Sequence, residues 1–200
     1  MDSFHYDSDL IGGSLQVRET RVIADLLIQA ANPEQWREAI LIENRLQKRT
    51  VATSRRVAQA IRKRLERVDA PFWRAIRDGD DELATQVTFC AVLARNLLLV
   101  EWMETVVRDA ITTHAGQLTL FQWNEFLDDR AHRDHRINNW TEASCKKMGQ
   151  VVIRMLVEVG LLSDTRSLHL QKLIIRPEVR QLLDQSGHHR LLACMEHTNR

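Results

Sequence analysis

Residues 141–175, TEASCKKMGQVVIRMLVEVGLLSDTRSLHLQKLII, carry the pattern that decides the fold. Cys145, Met148, Val152, Met155, Leu156 and Val159 recur at helical spacing, so one face of a long helix is apolar. Thr141 is a natural N-cap for that helix, and Gly160 supplies the left-handed C′ residue that ends it. Leu161-Leu162 follow, then a polar turn at Ser163-Asp164-Thr165-Arg166 and a β-prone run from Leu168 to Ile175. Upstream, Thr119-x-x-Gln122 reads as a capping box that opens another helix, through Phe121, Phe126 and Leu127. Helix, helix, long helix and short hairpin is the order of a winged helix-turn-helix.

Working toward the N-terminus, punctuation residues mark further helices and no strand alternation intervenes. Ser14 after Gly12-Gly13 predicts a helix carrying Leu15, Val22, Ile23, Leu26 and Leu27. Asn32-Pro33 resets the chain, since proline at the first helical position loses only an N–H that would be unbonded there. That helix is expected to reach about Gln47. A link at Lys48-Arg49-Thr50 leads to a third, striped by Val57, Ile61, Leu65 and Val68. Pro71 to Arg77 predicts a short helix, and Asp81 to about His114 a long one, with a break near Arg95-Asn96 left open. The expected fold class is therefore mainly α: an N-terminal helical bundle followed by a C-terminal winged helix-turn-helix-like lobe with a short β-hairpin. The domain limits expected are 1–117, with a basic helix-turn-helix-like segment at 33–68, then 118–187 and a tail at 188–200.

The chain of 200 residues holds 28 Lys+Arg and 27 Asp+Glu, a formal net charge of +1. Whole-chain neutrality hides strong patterning. Residues 1–44 carry three basic and eight acidic side chains, and 45–74 carry ten and two. Residues 75–144 carry six and twelve, and 145–200 carry nine and five. Two basic blocks thus alternate with two acidic ones.

Each basic block holds a helix with a cationic face. With Val57 at zero on a helical wheel, Arg55, Arg56, Gln59, Arg62, Lys63 and Arg67 fall between about 140° and 280°, opposite the apolar stripe. Arg45, Lys48 and Arg49 precede that face. With Cys145 at zero, Lys146, Lys147, Gln150 and Arg154 fall between about 100° and 200°. Arg166 and Lys172 flank the expected wing. Guanidinium forks and ammonium groups suit phosphates, and Lys, Arg and Gln suit base edges in a groove. These fifteen residues are the expected double-stranded-DNA contacts. The competing explanation of the first face is a solvated surface paired with the chain's own acidic blocks. For the second it is a winged helix used for protein contact.

Other chemistry is sparse. No glycine-rich phosphate loop, GxSxG, HExxH or CxxC occurs, so no catalytic residue and no cofactor is expected. His132-Arg133-Asp134-His135 with Asp128 and Asp129 has only superficial metal-ligand spacing, because two arginines there would repel a dication. Trp36, Trp73, Trp102, Trp123 and Trp140 suit helix packing rather than base stacking, and Trp140, just before the second basic helix, is the one to test for stacking. The acidic start MDSFHYDSDL is unlike a signal peptide. The apolar run Phe89–Val100 is interrupted by Arg95-Asn96 and reads as a buried core helix rather than a membrane span. Three widely spaced cysteines suggest neither a disulfide framework nor a zinc site, in keeping with the reduced cytoplasm.

The runs HYDSDLIGGSLQVRETRVIADLL, ENRLQKRTVATSRRVAQAIRKRL, WTEASCKKMGQVVIRMLVEVGLL and LIIRPEVRQLL, in this order and spacing, resemble the BrxA family of BREX (bacteriophage exclusion) phage-defence systems. The resemblance extends from about Tyr6 to Leu183. It implies a helical protein similar to the antitermination protein NusB, with DNA-binding winged-helix elements. It also implies work beside a methyltransferase, an ATPase and a phosphatase-like protein, and supplies no invariant catalytic residue. The function expected is a non-enzymatic, duplex-DNA-binding accessory component, possible also as a homodimer. RNA binding and a protein-interaction scaffold are the rivals.

Overall fold

The structure is a computed structural model that describes residues 6–196. Its contacts divide it into two units that interleave along the chain. One comprises residues 1–14, 96–175 and 189–200, and the other 15–95 and 176–188. The division differs from the continuous limits expected at 117 and 187. The chain leaves the latter unit at residue 95 and re-enters it at 176–188.

In the unit built from 15–95 and 176–188, α1 (Val17–Ile28) opens after Gln16, which sits in the left-handed region. In the other unit, a 3-10 turn spans Asp9–Gly12. Asn32 caps α2 (Pro33–Arg37) with a full capping box, its Oδ1 accepting from Glu34 and Gln35 while Gln35 reaches back to the Asn32 N–H. The helix widens into a π turn at Glu38–Ile42 and stops there, short of Gln47. The link is pinned: Asn44 Nδ2 donates to Lys48 O while Asn44 Oδ1 accepts from Lys48 N. α3 (Val51–Leu65) is capped by Thr50, α4 (Ala70–Asp78) carries Pro71 in its first turn, and α5 is Asp81–Arg95. Ser54 Oγ donates to Ile40 O, tying α3 to the π turn.

The long helix expected from Asp81 to His114 is broken at Asn96. There Asn96 turns extended and its side chain accepts from Leu99 N, opening α6 (Leu97–Trp102) in the other unit. α6 continues through a π turn at Met103–Val107 into α7 (Arg108–Thr112). Phe89–Leu93 and Leu98–Val100 are buried, as a core segment requires. Among the described residues no single helix is long and apolar enough to cross a membrane.

α8 (Leu120–Ala131) begins with the capping box read at Thr119 and Gln122. A 3-10 turn at His135–Asn139 leads to α9 (Glu142–Glu158), capped by Thr141 and closed by Gly160 at φ +86°. The expected β-hairpin is replaced by two isolated antiparallel bridges, Gln117 with His169 and Leu162 with Leu170. Leu118 N donates to Leu168 O and Leu170 N to Gly116 O. On the other side Ser163 N donates to His169 O and Gln171 N to Leu161 O. The ladder has no room to extend. Residues 116–118 lie between a left-handed glycine and the Thr119 cap, and 161–163 between Gly160 and the polar turn. Beyond Gln171, residues 172–175 form no strand among the described residues.

Arg176 then returns the chain to the first unit described. Its N–H donates to Gln86 Oε1, and its guanidinium pairs with Asp80, Glu82 and Glu178. α10 (Pro177–Gln185) follows. α11 (His189–Glu196), where a tail was expected, belongs again with α6 and α7. Arg190 forms a two-pronged pair with Glu104, and the buried Cys194 thiol donates to Val100 O.

Candidate nucleic-acid interface

α3 buries Ser54, Val57, Ala58, Ile61, Arg64 and Leu65 and exposes Arg55, Arg56, Gln59, Arg62 and Lys63. Arg67, just beyond the helix, is exposed as well. The face is not chemically uniform. Lys48 pairs with Glu19 at 2.6 Å; burial pushes the Glu19 carboxyl up, but the hydrogen bond and charge of Lys48, with a backbone bond and Arg18, outweigh it and leave the carboxyl below its usual range. Arg45 pairs with Asp25 at 3.0 Å. Arg62 pairs with Glu66 at 2.7 Å and lies 4.8 Å from the Trp36 ring centroid, a cation–π contact joining α3 to α2. Arg49, Arg55, Arg56, Lys63 and Arg67 are exposed and form no ion pair among the described residues. From Arg55 to Arg67 the face runs roughly 18 Å, about half a turn of duplex.

The second face lies on α9. Lys146, Lys147, Gln150 and Arg154 are exposed, opposite the buried Met148, Val152, Met155 and Leu156. None of the four is paired among the described residues. Lys147, Gln150 and Arg154 border a cavity of about 400 Å3, whose other walls include Gly13, Ser14 and Thr165. Arg166 and Lys172 are exposed on either side of the segment that pairs at 168–170.

The turn that carries Arg166 is ordered by Asp164. Its Oδ1 accepts from Arg166 N at 2.7 Å and Ser167 N at 2.9 Å, and its Oδ2 from Ser163 Oγ and Ser167 Oγ. These bonds, led by that from the Ser167 hydroxyl, hold the carboxyl well below the usual carboxylate range. Stability from a lowered carboxylate pKa is present above the unfolded value and is lost as pH falls through the folded one. Asp164→Ala is expected to raise amide exchange at Arg166 and Ser167 while leaving α9 amides unchanged, as read by NMR.

Several residues lie away from these faces. His132 and His135 are exposed, and the buried Asp134 accepts from Tyr6 N, Arg136 N and Arg136 Nε. Trp102 and Trp123 pack edge-to-face with each other, and Trp102 does so with Phe126. Trp73 donates to Leu65 O. Sequence reasoning missed a buried polar cluster in which Glu101 accepts from the Tyr6 hydroxyl at 2.8 Å and pairs with Arg130 and Arg133. Burial, followed by the bond to Glu101, pushes the Tyr6 hydroxyl up to about 12.

Fold and faces together define a mainly helical protein with two exposed cationic helix faces, α3's partly paired and α9's unpaired among the described residues. In the unit that holds 96–175, three short segments are joined by two isolated bridges. The BrxA family profile matches residues 4–187. The "BREX protein BrxA" of Paramagnetospirillum magneticum is 33% identical over 191 residues, covering 96% of each chain. That of Escherichia coli O9:H4 is 30% identical, covering 94% of this chain and 88% of the relative. A crystal structure of an uncharacterized protein from Magnetospirillum magneticum superposes with a TM-score of 0.88 at 32% identity, covering 96% of this chain and 98% of that one. The chain belongs to the BrxA family.

Proposed function

We propose that the protein is a non-enzymatic, double-stranded-DNA-binding component of a BREX phage-defence system. Phosphate contacts come from Arg49, Arg55, Arg56, Lys63 and Arg67, supported by Arg45, Lys48, Gln59 and Arg62. Lys146, Lys147, Gln150 and Arg154 add groove contacts, with Arg166 and Lys172 at the backbone or minor groove. The observation that carries this reading is the set of exposed cations on α3 and α9 that no acidic side chain of the described chain neutralises. A protein that merely solvated its helices would be expected to pair them, as it pairs Lys48 and Arg45.

The connectivity of residues 97–170 supports the winged-helix reading. A helix (α6–α7) leads to a short pairing segment at 116–118, then α8, α9, a second segment at 161–163, a tight turn, and a third at 168–170. The third segment bonds to both of the others, which supports reading it as a winged helix reduced to its shortest form. α9 then stands as the recognition helix and the Asp164 turn as the wing. The methyltransferase, ATPase and phosphatase-like proteins of such systems are the proposed partners.

Titrating a short duplex over a range of salt concentrations tests the proposal. Six neutralised phosphates give a slope of log K against log salt of about −5. A slope near zero, or tighter binding to duplex RNA or single strands in competition, overturns it. Silence toward all nucleic acids with co-purification of BREX proteins favours a scaffold.

A further inference from the structure

α8 and α9 face each other across a trough of about 500 Å3, closed at one end by the 3-10 turn at 135–139. That volume lies within the range of small-molecule sites, roughly 300–1,000 Å3. Its floor is apolar and fixed. Trp123 donates its indole N–H to Cys145 O at 3.0 Å and is braced by Trp102 and Phe126. Leu127 and Ile137 complete the floor. Gly149 sits opposite, in the interior of α9, where glycine costs about 1 kcal/mol against alanine. Its reason is close approach, because a Cβ there would lie 2.7 Å from Trp123 Cδ1.

The rim is polar. Asn124, Asp128, Asn138, Glu142, Lys146 and Gln150 converge on the trough, and their side chains form no hydrogen bond or ion pair among the described residues. Trp140 is half-buried on the same wall, with its indole N–H unbonded among the described residues. Two carboxylates against one ammonium give the rim a net negative formal charge, which rejects a phosphate. Three amides offer donors and acceptors side by side, the pattern that base edges match. Indole walls stack on any base, whatever its edge.

We propose that this trough is a binding site for a nucleobase, held by its edge at the amide rim and by stacking on Trp140, with its phosphate left outside. Lys146 and Gln150 belong both to the rim and to the exposed face of α9. A base swung out of a bound strand is therefore one source of the ligand, and a free nucleoside the other. The first source rests on the DNA-binding reading; the second does not.

Full-length protein labelled at the tryptophan indoles is titrated with adenosine, guanosine, cytidine and thymidine, and with their 5′-monophosphates. The Trp140 signal, assigned with Trp140→Phe, is expected to shift with at least one nucleoside at millimolar concentration and to respond more weakly to its monophosphate. Trp140→Ala and Asn138→Ala are each expected to weaken binding at least about fivefold with helicity unchanged. In parallel, a duplex carrying 2-aminopurine should brighten on binding if the base leaves the stack, and Trp140→Ala should remove that rise. Nucleoside shifts without brightening support the site with a free ligand, and brightening alone supports it with a strand-borne base. A monophosphate that binds as tightly as its nucleoside, or silence in both measurements, overturns it. If a duplex is still retarded while both are silent, only the trough fails. If nucleosides bind and no duplex is retarded, only the DNA reading fails.

Discussion

Replacing Arg55, Arg56, Lys63 and Arg67 together by glutamate is expected to abolish duplex binding with the fold intact. All four are exposed and unpaired among the described residues, so each is available to a phosphate. Removing four phosphate contacts should flatten the salt slope by roughly 3.6, at about 0.9 per contact. If each contact is worth about 1 kcal/mol, affinity falls about a thousandfold before repulsion by the new carboxylates is added. The cost to folding is small. Exposed substitutions stay within about 0.5 kcal/mol each, with a little more for acidic groups near the C-terminal end of α3. Circular dichroism and a melting curve check the fold, and a gel-shift series checks affinity. Unchanged binding at low salt would sink the DNA reading of this face. Lys48→Glu is the contrasting variant, because it sets a carboxylate against Glu19 where a 2.6 Å ion pair now stands. Its loss of stability should come first and any loss of binding second.

That contrast marks how far the sequence could be read. Helical spacing says which way a side chain points, and burial follows it: Val57, Ile61 and Leu65 are inside, Arg55, Arg56 and Lys63 outside. Spacing does not say what lies opposite. Glu19 and Asp25 sit 29 and 20 residues from their partners Lys48 and Arg45. Local chemistry was legible where it closes within one turn, as at Asn32–Gln35, Thr119–Gln122 and Thr141–Ser144. The break at Asn96 has the same capping chemistry, but the apolar run on both sides leaves the sequence open between a continuous helix and a stop there. The β-prone run at 168–175 states a preference of its own residues, whereas a ladder needs partners of matching length. Residues 116–118 and 161–163 are too short to provide them. Nor does any local pattern reveal the trough between α8 and α9, since its stripes mix Trp123 and Leu127 with Asn124 and Asp128.

Glu101→Ala is expected to destabilise the protein by about 3 kcal/mol, lowering its melting temperature by about 6–12 °C. Glu101 is 6% exposed and Arg130 8%, and the Arg130 guanidinium lies 4.6 Å from the Phe126 ring centroid. Deleting the carboxylate leaves that buried cation, among the described residues, with the exposed Asp129 as counter-charge and removes the Tyr6 hydroxyl's bond to Glu101. Breaking one side of a buried pair costs about 3–5 kcal/mol, and the surviving Asp129 contact places this case at the low end. Removing both charges is a different matter. Glu101→Leu with Arg130→Met should recover much of the loss, because the desolvation of two ions disappears with their attraction. Tyr6 supplies an independent check by pH. Its folded pKa of about 12 stands above the ordinary value of 10.0, so its contribution is complete below pH 10 and is lost as pH rises toward 12. In Tyr6→Phe that alkaline loss should vanish from the difference in stability between neutral pH and pH 11. If Glu101→Ala melts with the parent protein, the cluster is a bystander and the packing of Trp102, Trp123 and Phe126 alone holds this end of α8.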